Sequence, residues 1–200
     1  MGGILLSILI NGVVFAEDLP KWRLKVMSPS RVQTYVDNGT PVWCLHLAEE
    51  IEACPLMVQN DRLQLTPQSA AVMDWRSALK QSLNGAVVAD RFVQQPIQGT
   101  NRVYWASGQM DGMDAAGWLF PEDLRAIVGS EVLVAQPMSG AFFVWSKEDM
   151  VANEKMAIAI KSLFLSADQP VSPYVYHWKD DEWIVWGEAV KKKTDPVLPK

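Results

Sequence analysis

The pattern that most constrains this chain lies in its last third. Residues 131–135 (EVLVA) and 141–145 (AFFVW) are short runs rich in β-branched and aromatic side chains. Residues 136–140 separate them, a segment ending in Ser139-Gly140. Residues 174–178 (YVYHW) and 183–186 (WIVW) repeat the arrangement around Lys179-Asp180-Asp181-Glu182. Runs of this length and composition, bounded by turn residues, predict two β-hairpins. In the simplest register Trp178 faces Trp183, a favourable cross-strand pair. Between the hairpins, residues 147–165 carry apolar side chains at helical spacing, with Met150, Val151, Met156, Ile158, Ala159, Leu163 and Phe164 available to a core and Ser146 as a cap.

Upstream the signals are shorter. Residues 22–27 (WRLKVM) alternate as a strand does, and Ser28-Pro29-Ser30 stops them. Residues 31–36 and 41–47 read as β-type runs around the turn Asp37-Asn38-Gly39. Residues 48–53 fit either state, Pro55 ends them, residues 56–58 read as a short strand, 59–61 as a turn, and 63–65 lead into Thr66-Pro67. Thr66 is placed to cap a helix with Pro67 at its first position. Ala70, Val72, Met73, Trp75, Leu79 and Leu83 then fall at helical spacing, with a break near Asp74 and a stop at Asn84-Gly85. Residues 86–99 read as a loop with a short strand, 102–106 as a strand, and Asp111-Gly112-Met113-Asp114 as a turn. Residues 115–128 read as helical but interrupted by Pro121, which forces Phe120 out of helical geometry. Strands mix with two or three helices without βαβ alternation. The expected fold is therefore α+β: a single domain over residues 17–190, with a mixed, mostly antiparallel sheet carrying the helices, and a flexible tail at 191–200.

The beginning of the chain bears on compartment. Residues 2–16 (GGILLSILINGVVFA) are apolar and uncharged, and the polar stretch EDLPK follows. The run is too short to span a bilayer, which needs about 20 apolar residues. Small residues at Val14 and Ala16 suit a peptidase, so residues 1–16 read as a signal peptide, although no Lys or Arg precedes the apolar run. A second reading stays open: two apolar strands joined by Asn11-Gly12, the preferred type I′ turn. Such strands would be apolar on both faces and would need a fully buried site.

Cys44 and Cys54 are the only cysteines. In an exported protein an even count suggests a disulfide. Two buried thiols in a cytosolic protein are the alternative, and a zinc site using Cys44 and His46 falls short of the four ligands such a site wants. The net charge of −5 and the lack of a basic stripe exclude nucleic acid as an expected partner.

From residue 63 onward the order of signals resembles the carboxy-terminal half of the YtpQ-like family of bacterial proteins. The segments that carry the likeness are DGMDAA (111–116), EVLVAQP (131–137) and VSPYVY (171–176). The resemblance implies an α+β fold. It brings no catalytic residues, because the family has no assigned activity, and the signal-like start and the cysteines depart from it.

No recognisable catalytic set is present. The chain has two histidines, His46 and His177, and lacks GxSxG, HExxH, a phosphate loop and GxGxxG. The acidic residues Glu49, Glu50 and Glu52 read as a solvated face, and Glu122 and Asp123 as favourable charges at a helix start. No cofactor and no metal are expected. The best candidate for binding is the aromatic hairpin: Tyr174, Tyr176 and Trp178 share one strand face, with Trp183 and Trp186 opposite. Facing outward it would be a platform for a partner; facing inward it is core, the more usual place for large aromatics. The expected function is that of an exported, periplasmic or secreted, non-enzymatic protein that binds another protein, as an inhibitor or immunity protein does, with no membrane span once the signal is removed. The alternatives are an envelope hydrolase using paired carboxylates and a cytosolic YtpQ-like protein. Expressed from its own start in a bacterium, the chain is expected to lose residues 1–16 and to take up no thiol label; a full-length, doubly alkylated mass would reverse the assignment of compartment.

Overall fold

A computed structural model describes residues 21–59, 62–65, 74–83, 88–107, 114–129 and 131–188. The signal-like segment, the cap at Thr66, the helical positions Ala70 to Met73, the stop at Asn84-Gly85, the turn residues Asp111 to Met113 and the tail at 191–200 lie outside these residues. The architecture is α+β; among the described residues it is built on two antiparallel sheets and four α-helices.

The first sheet holds β1 (Lys21–Met27), β2 (Leu45–Ala48), β3 (Ile51–Gln59) and β4 (Arg62–Leu65). β3 is its centre. β1 pairs along its whole length on one side, from Lys21 opposite Val58 to Met27 opposite Glu52. β2 and β4 share the other side, β2 against Ile51 to Ala53 and β4 against Leu56 to Gln59. Pro55 therefore does not end a strand, as its ring suggested. It sits in the interval between those two ladders, where no partner strand on that side needs its missing N–H. β1 places Trp22, Leu24 and Val26 in the core while Arg23 and Lys25 face away. The undecided segment 48–53 resolves into a hairpin whose turn, Glu49-Glu50, has Glu50 at a left-handed φ of 61°.

Residues 31–36 are helical rather than extended. They belong to α1 (Pro29–Asp37). Their alternation suggested a strand, but local chemistry decides otherwise. Pro29 presets the first helical φ, Gln33 Nε2 donates to Asp37 Oδ1 at 2.7 Å, and Thr34 Oγ1 donates to the Ser30 carbonyl at 3.0 Å. Gly39, at φ 74°, closes the helix: its N–H reaches the Val36 carbonyl and that of Thr40 reaches Tyr35, a Schellman stop. α2 (Trp75–Ser82) starts at the break anticipated near Asp74, which caps it by accepting from the Ser77 N–H at 3.1 Å. Trp75, Ala78 and Leu79 form its buried face.

The second sheet holds β5 (Phe92–Pro96), β6 (Val103–Ser107), β7 (Val132–Met138), β8 (Ala141–Ser146), β9 (Tyr174–Lys179) and β10 (Glu182–Glu188) in the order β10-β9-β7-β8-β6-β5. Both predicted hairpins are present. Trp178 is opposite Trp183 with ring centroids 5.1 Å apart. The loop between these strands is only Asp180-Asp181, both at left-handed φ, as a type I′ turn requires. α3 (Pro121–Val128) follows a 3₁₀ segment, Asp114–Leu119, and Phe120 between them is non-helical at φ −130°, ψ 62°, as the proline demanded.

This second sheet is the middle layer. One face, with Val132, Val134, Phe142, Val144, Tyr174 and Tyr176, joins Trp22, Leu24, Ile51 and Trp118 in one cluster shared with the first sheet. The other face, with Leu133, Ala135, Trp145 and Val175, is covered by Ala152, Met156 and Ile160 of α4 (Met150–Ser166). β7 is thus buried on both sides. Gly117 shows how closely the core is filled: a Cβ there would lie 3.2 Å from Phe142 Cε1 and 3.3 Å from Leu124 Cδ1. Gly117→Ala is expected to cost about 1–3 kcal/mol through overpacking, read as a lower urea midpoint with an unchanged slope; an unchanged midpoint would show that the core yields at this point.

Candidate functional site

The sequence-derived candidates separate by burial. Tyr174, Tyr176 and Trp183 are core side chains and Trp178 is half-buried against Trp183. The strand face formed by Tyr174, Tyr176 and Trp178 therefore points inward and offers no platform. Its polar atoms are used inside: Tyr176 Oη donates to the Glu49 carbonyl and lies 2.6 Å from Ser172 Oγ, and Trp183 Nε1 donates to the Trp118 carbonyl at 2.9 Å. Burial pushes the Tyr176 phenol well above the usual tyrosine range. Trp186 alone of the five is exposed.

Cys44 and Cys54 form a disulfide with their Cα atoms 4.2 Å apart. Leu45 is opposite Ala53, so the bridge continues the β2–β3 ladder by one residue. Both sulfurs are committed, which removes Cys44 as a metal ligand beside His46. His46 is exposed, with Nδ1 2.9 Å from Glu52 Oε1. Among the described residues no group of three or more His, Cys, Asp or Glu could hold a metal ion.

His177 is buried beneath α4 and touches a polar network that positions this helix. Its Nε2 lies 2.6 Å from Glu131 Oε2 but off the line of a hydrogen bond, so the contact is electrostatic. Lys147 Nζ donates to the same carboxylate oxygen at 3.0 Å, and the Lys147 N–H donates to the Glu131 carbonyl at 2.9 Å. The Lys147 carbonyl accepts from Asn153 Nδ2 at 2.9 Å, and Asn153 Oδ1 accepts from buried Trp145 Nε1 at 2.8 Å. Asp149, rather than Ser146, caps α4, accepting from the Ala152 N–H at 3.0 Å. Ser146 is still the last residue of β8, and two turn residues are needed before the helix can begin. The Trp145–Asn153 bond satisfies an indole N–H that burial would otherwise strand, the partly exposed Lys147–Glu131 pair adds an ion pair, and together they set the direction in which α4 leaves the sheet.

That direction corrects the helix's assigned core face. Met156 is buried, but Ile158 is not, and Met150 and Val151 also face out. The exposed fractions are 72% for Met150, 42% for Val151, 60% for Ile158, 64% for Leu165 and 41% for Trp186. Met150, Val151, Asn153, Glu154 and Trp186 line an open depression of about 460 Å³, and a neighbouring one of about 430 Å³ is lined by Arg102, Ser146, Glu148, Asp149, Met150 and Val151. The apolar rim of α4 with Trp186 is the candidate site. One sequence signal could have revealed it: Val151, Ile158 and Leu165 recur every seventh residue, on the side opposite Ala152, Met156 and Ile160. The helix is apolar on two faces, and only one of them is needed by the sheet.

Several of the described carboxylates are committed to structural bonds. Glu122 is engaged by Arg76, Asp123 accepts from the Val88 N–H, and Asp149 caps α4. Hydrogen bonds from the Ser77 hydroxyl and N–H hold Asp74 below its usual range. The Lys147 ammonium, opposed by partial desolvation and aided by His177, does the same to Glu131. A catalytic acid needs the opposite direction. Among the described residues no helix is long and apolar enough to cross a membrane.

The lowered Glu131 carboxyl has a sign that can be checked. Its ionised form is favoured more in the folded chain than in the unfolded one. The contribution is full above the ordinary value of about 4.5 and is lost as pH falls through the lower folded value. The difference in melting temperature between wild type and Glu131→Gln is expected to be largest near neutrality and to shrink progressively as pH falls below about 4.5; a difference that widens on acidification would contradict this. In comparisons with known proteins, no family model, curated protein or solved structure matches the chain, so the YtpQ-like resemblance rests on the three segments that carry it.

Proposed function

We propose that this protein is a non-enzymatic binding module of an oxidising compartment, periplasmic or secreted, which docks another protein chain through the outer face of α4 and Trp186. The observation that carries the reading is the exposure of Met150, Val151, Ile158, Leu165 and Trp186 together, on a chain whose other large aromatic clusters are buried. Contiguous exposed apolar surface rimmed by charge is the usual mark of a protein contact, and tryptophan is among the side chains that most often dominate one. Glu154, Lys155 and Lys161 supply the charged rim. The Cys44–Cys54 bridge supports an oxidising compartment, and the signal-like run at residues 2–16 points the same way. The absence of a recognisable catalytic motif and the lowered carboxyl groups favour binding over hydrolysis, in keeping with an inhibitor or immunity-like role.

The reading is tested with a photo-reactive amino acid in place of Ile158, expressed in the native host, with the same group at Val36 of α1 as control. A discrete protein adduct is expected from position 158 and not from position 36. Trp186→Ala in the same background is expected to reduce the adduct roughly 10- to 30-fold, as loss of an interface anchor does. Equal yields at both positions, or none at 158, would sink the proposal.

A further inference from the structure

The outer stripe of α4 has a symmetry of its own. Val151, Ile158 and Leu165 are spaced seven apart, so they lie in one row along the helix with Ile158 at the midpoint. Glu154 and Lys161 flank that row on the same side, also seven apart, one before and one after Ile158. Lys155 and Ser162 lie on the other side of the row, where Ala159 leaves room for close approach. All seven side chains are exposed.

A row that reads the same from its centre, with opposite charges at mirrored positions, fits itself when inverted. Resting on the docking role proposed for this face, we infer that its partner is a second copy of this chain, with the two α4 helices packed antiparallel about a two-fold axis through Ile158. In that arrangement Ile158 meets its own counterpart and Val151 meets Leu165 of the other copy, twice. A residue and its symmetry mate lie on the same flank of an isologous pair, so Glu154 faces Lys161 of the other copy, twice. Lys155 then faces Ser162 rather than another lysine, and no like charges are brought together. Met150, the first residue of the helix, and Trp186 widen the apolar surface at its N-terminal end. The seam is apolar at one position in seven rather than the two of a coiled coil, so the flanking charges carry the orientation and the apolar row adds modest affinity. The seam from Val151 to Leu165 is about 21 Å long, so the expected dimer is reversible and concentration-dependent.

Sedimentation velocity on the chain as its host produces it, across a concentration series, tests the inference. Wild type is expected to move from one to two times the mass of the single chain. Ile158→Asp, whose site is exposed and whose melting temperature should be unchanged, is expected to remain monomeric. Glu154→Lys and Lys161→Glu are each expected to weaken dimerisation about tenfold, and the double reversal to restore it. A wild type that stays monomeric overturns the inference. So does a dimer that Ile158→Asp leaves intact, and so does a double reversal that fails to recover. The photo-crosslink at position 158 separates the two proposals. An adduct with a different protein, from a chain that is monomeric by sedimentation, removes the second copy and keeps the docking role. A crosslink confined to the chain's own residues 1–20 or 189–200, or no crosslink, removes both.

Discussion

Burial of Trp118 with its indole N–H satisfied is the constraint on which the rest of the structure depends. Its ring lies edge-on to Phe142, Tyr176 and Trp183, with centroids 5.4, 5.1 and 5.2 Å away. Its Nε1 donates to buried Gln136 Oε1 at 2.7 Å, and its carbonyl accepts from Trp183 Nε1. An indole contributes a large apolar area but leaves one donor that must be bonded, so Trp118 specifies both the packing and the polar partner. It ties the 3₁₀ segment to β7, β8, β9 and β10 at once. Tyr176, one contact away, reaches the turn of the first sheet at Glu49. The two sheets share a core because these aromatics are long enough to span the gap between them.

With one face of the second sheet committed to that core, the other needs a cover, and α4 supplies it. The cover is held by few side chains, Ala152, Met156 and Ile160, and by the polar chain from His177 through Glu131 and Lys147 to Asn153 and Trp145. A partly buried network anchored on the buried Trp145–Asn153 bond fixes direction more sharply than apolar packing alone. The helix cannot roll to bury its second apolar row without breaking those bonds. The exposure of Val151, Ile158 and Leu165 is therefore a consequence of the interior, and it leaves apolar surface on offer to another chain.

The disulfide acts on a different part of the molecule. It joins the two strands at the end where β2 leaves the ladder, beside Trp43, which stacks on Trp75 at 5.6 Å. Trp75 in turn meets Trp22 edge-on at 4.7 Å. The bridge thus anchors the loop that carries one member of a three-tryptophan stack under α2. A short loop closed in this way gains about 3 kcal/mol in the chain-entropy picture, a large fraction of the stability of an ordinary domain.

Much of this was legible beforehand, and the limits have physical causes. Both hairpins, the Trp178–Trp183 pair, the helix break at Phe120 and the start of α2 near Asp74 follow from local rules: turn chemistry, strand composition, the geometry imposed by proline and helix capping. The α+β class follows from their order along the chain. Local rules misled where two periods fit the same residues. RVQTYV at 31–36 alternates well enough for a strand, and Pro29 at the first turn, the bonds from Gln33 to Asp37 and from Thr34 to Ser30, and the stop at Gly39 commit it to a helix. Pro55 stops a strand only if the neighbouring chain needs its N–H, and the gap between β2 and β4 removes that need. Which face of the aromatic hairpin points inward, and which of the two apolar rows of α4 meets the sheet, could not be settled locally at all, since both choices satisfy the same pattern. The sequence by itself determined both hairpins, the breaks at Asp74 and Phe120 and the α+β class. Only the tertiary structure decided what stays outside, because burial belongs to the whole assembly and a side chain is exposed only after every other has taken its place.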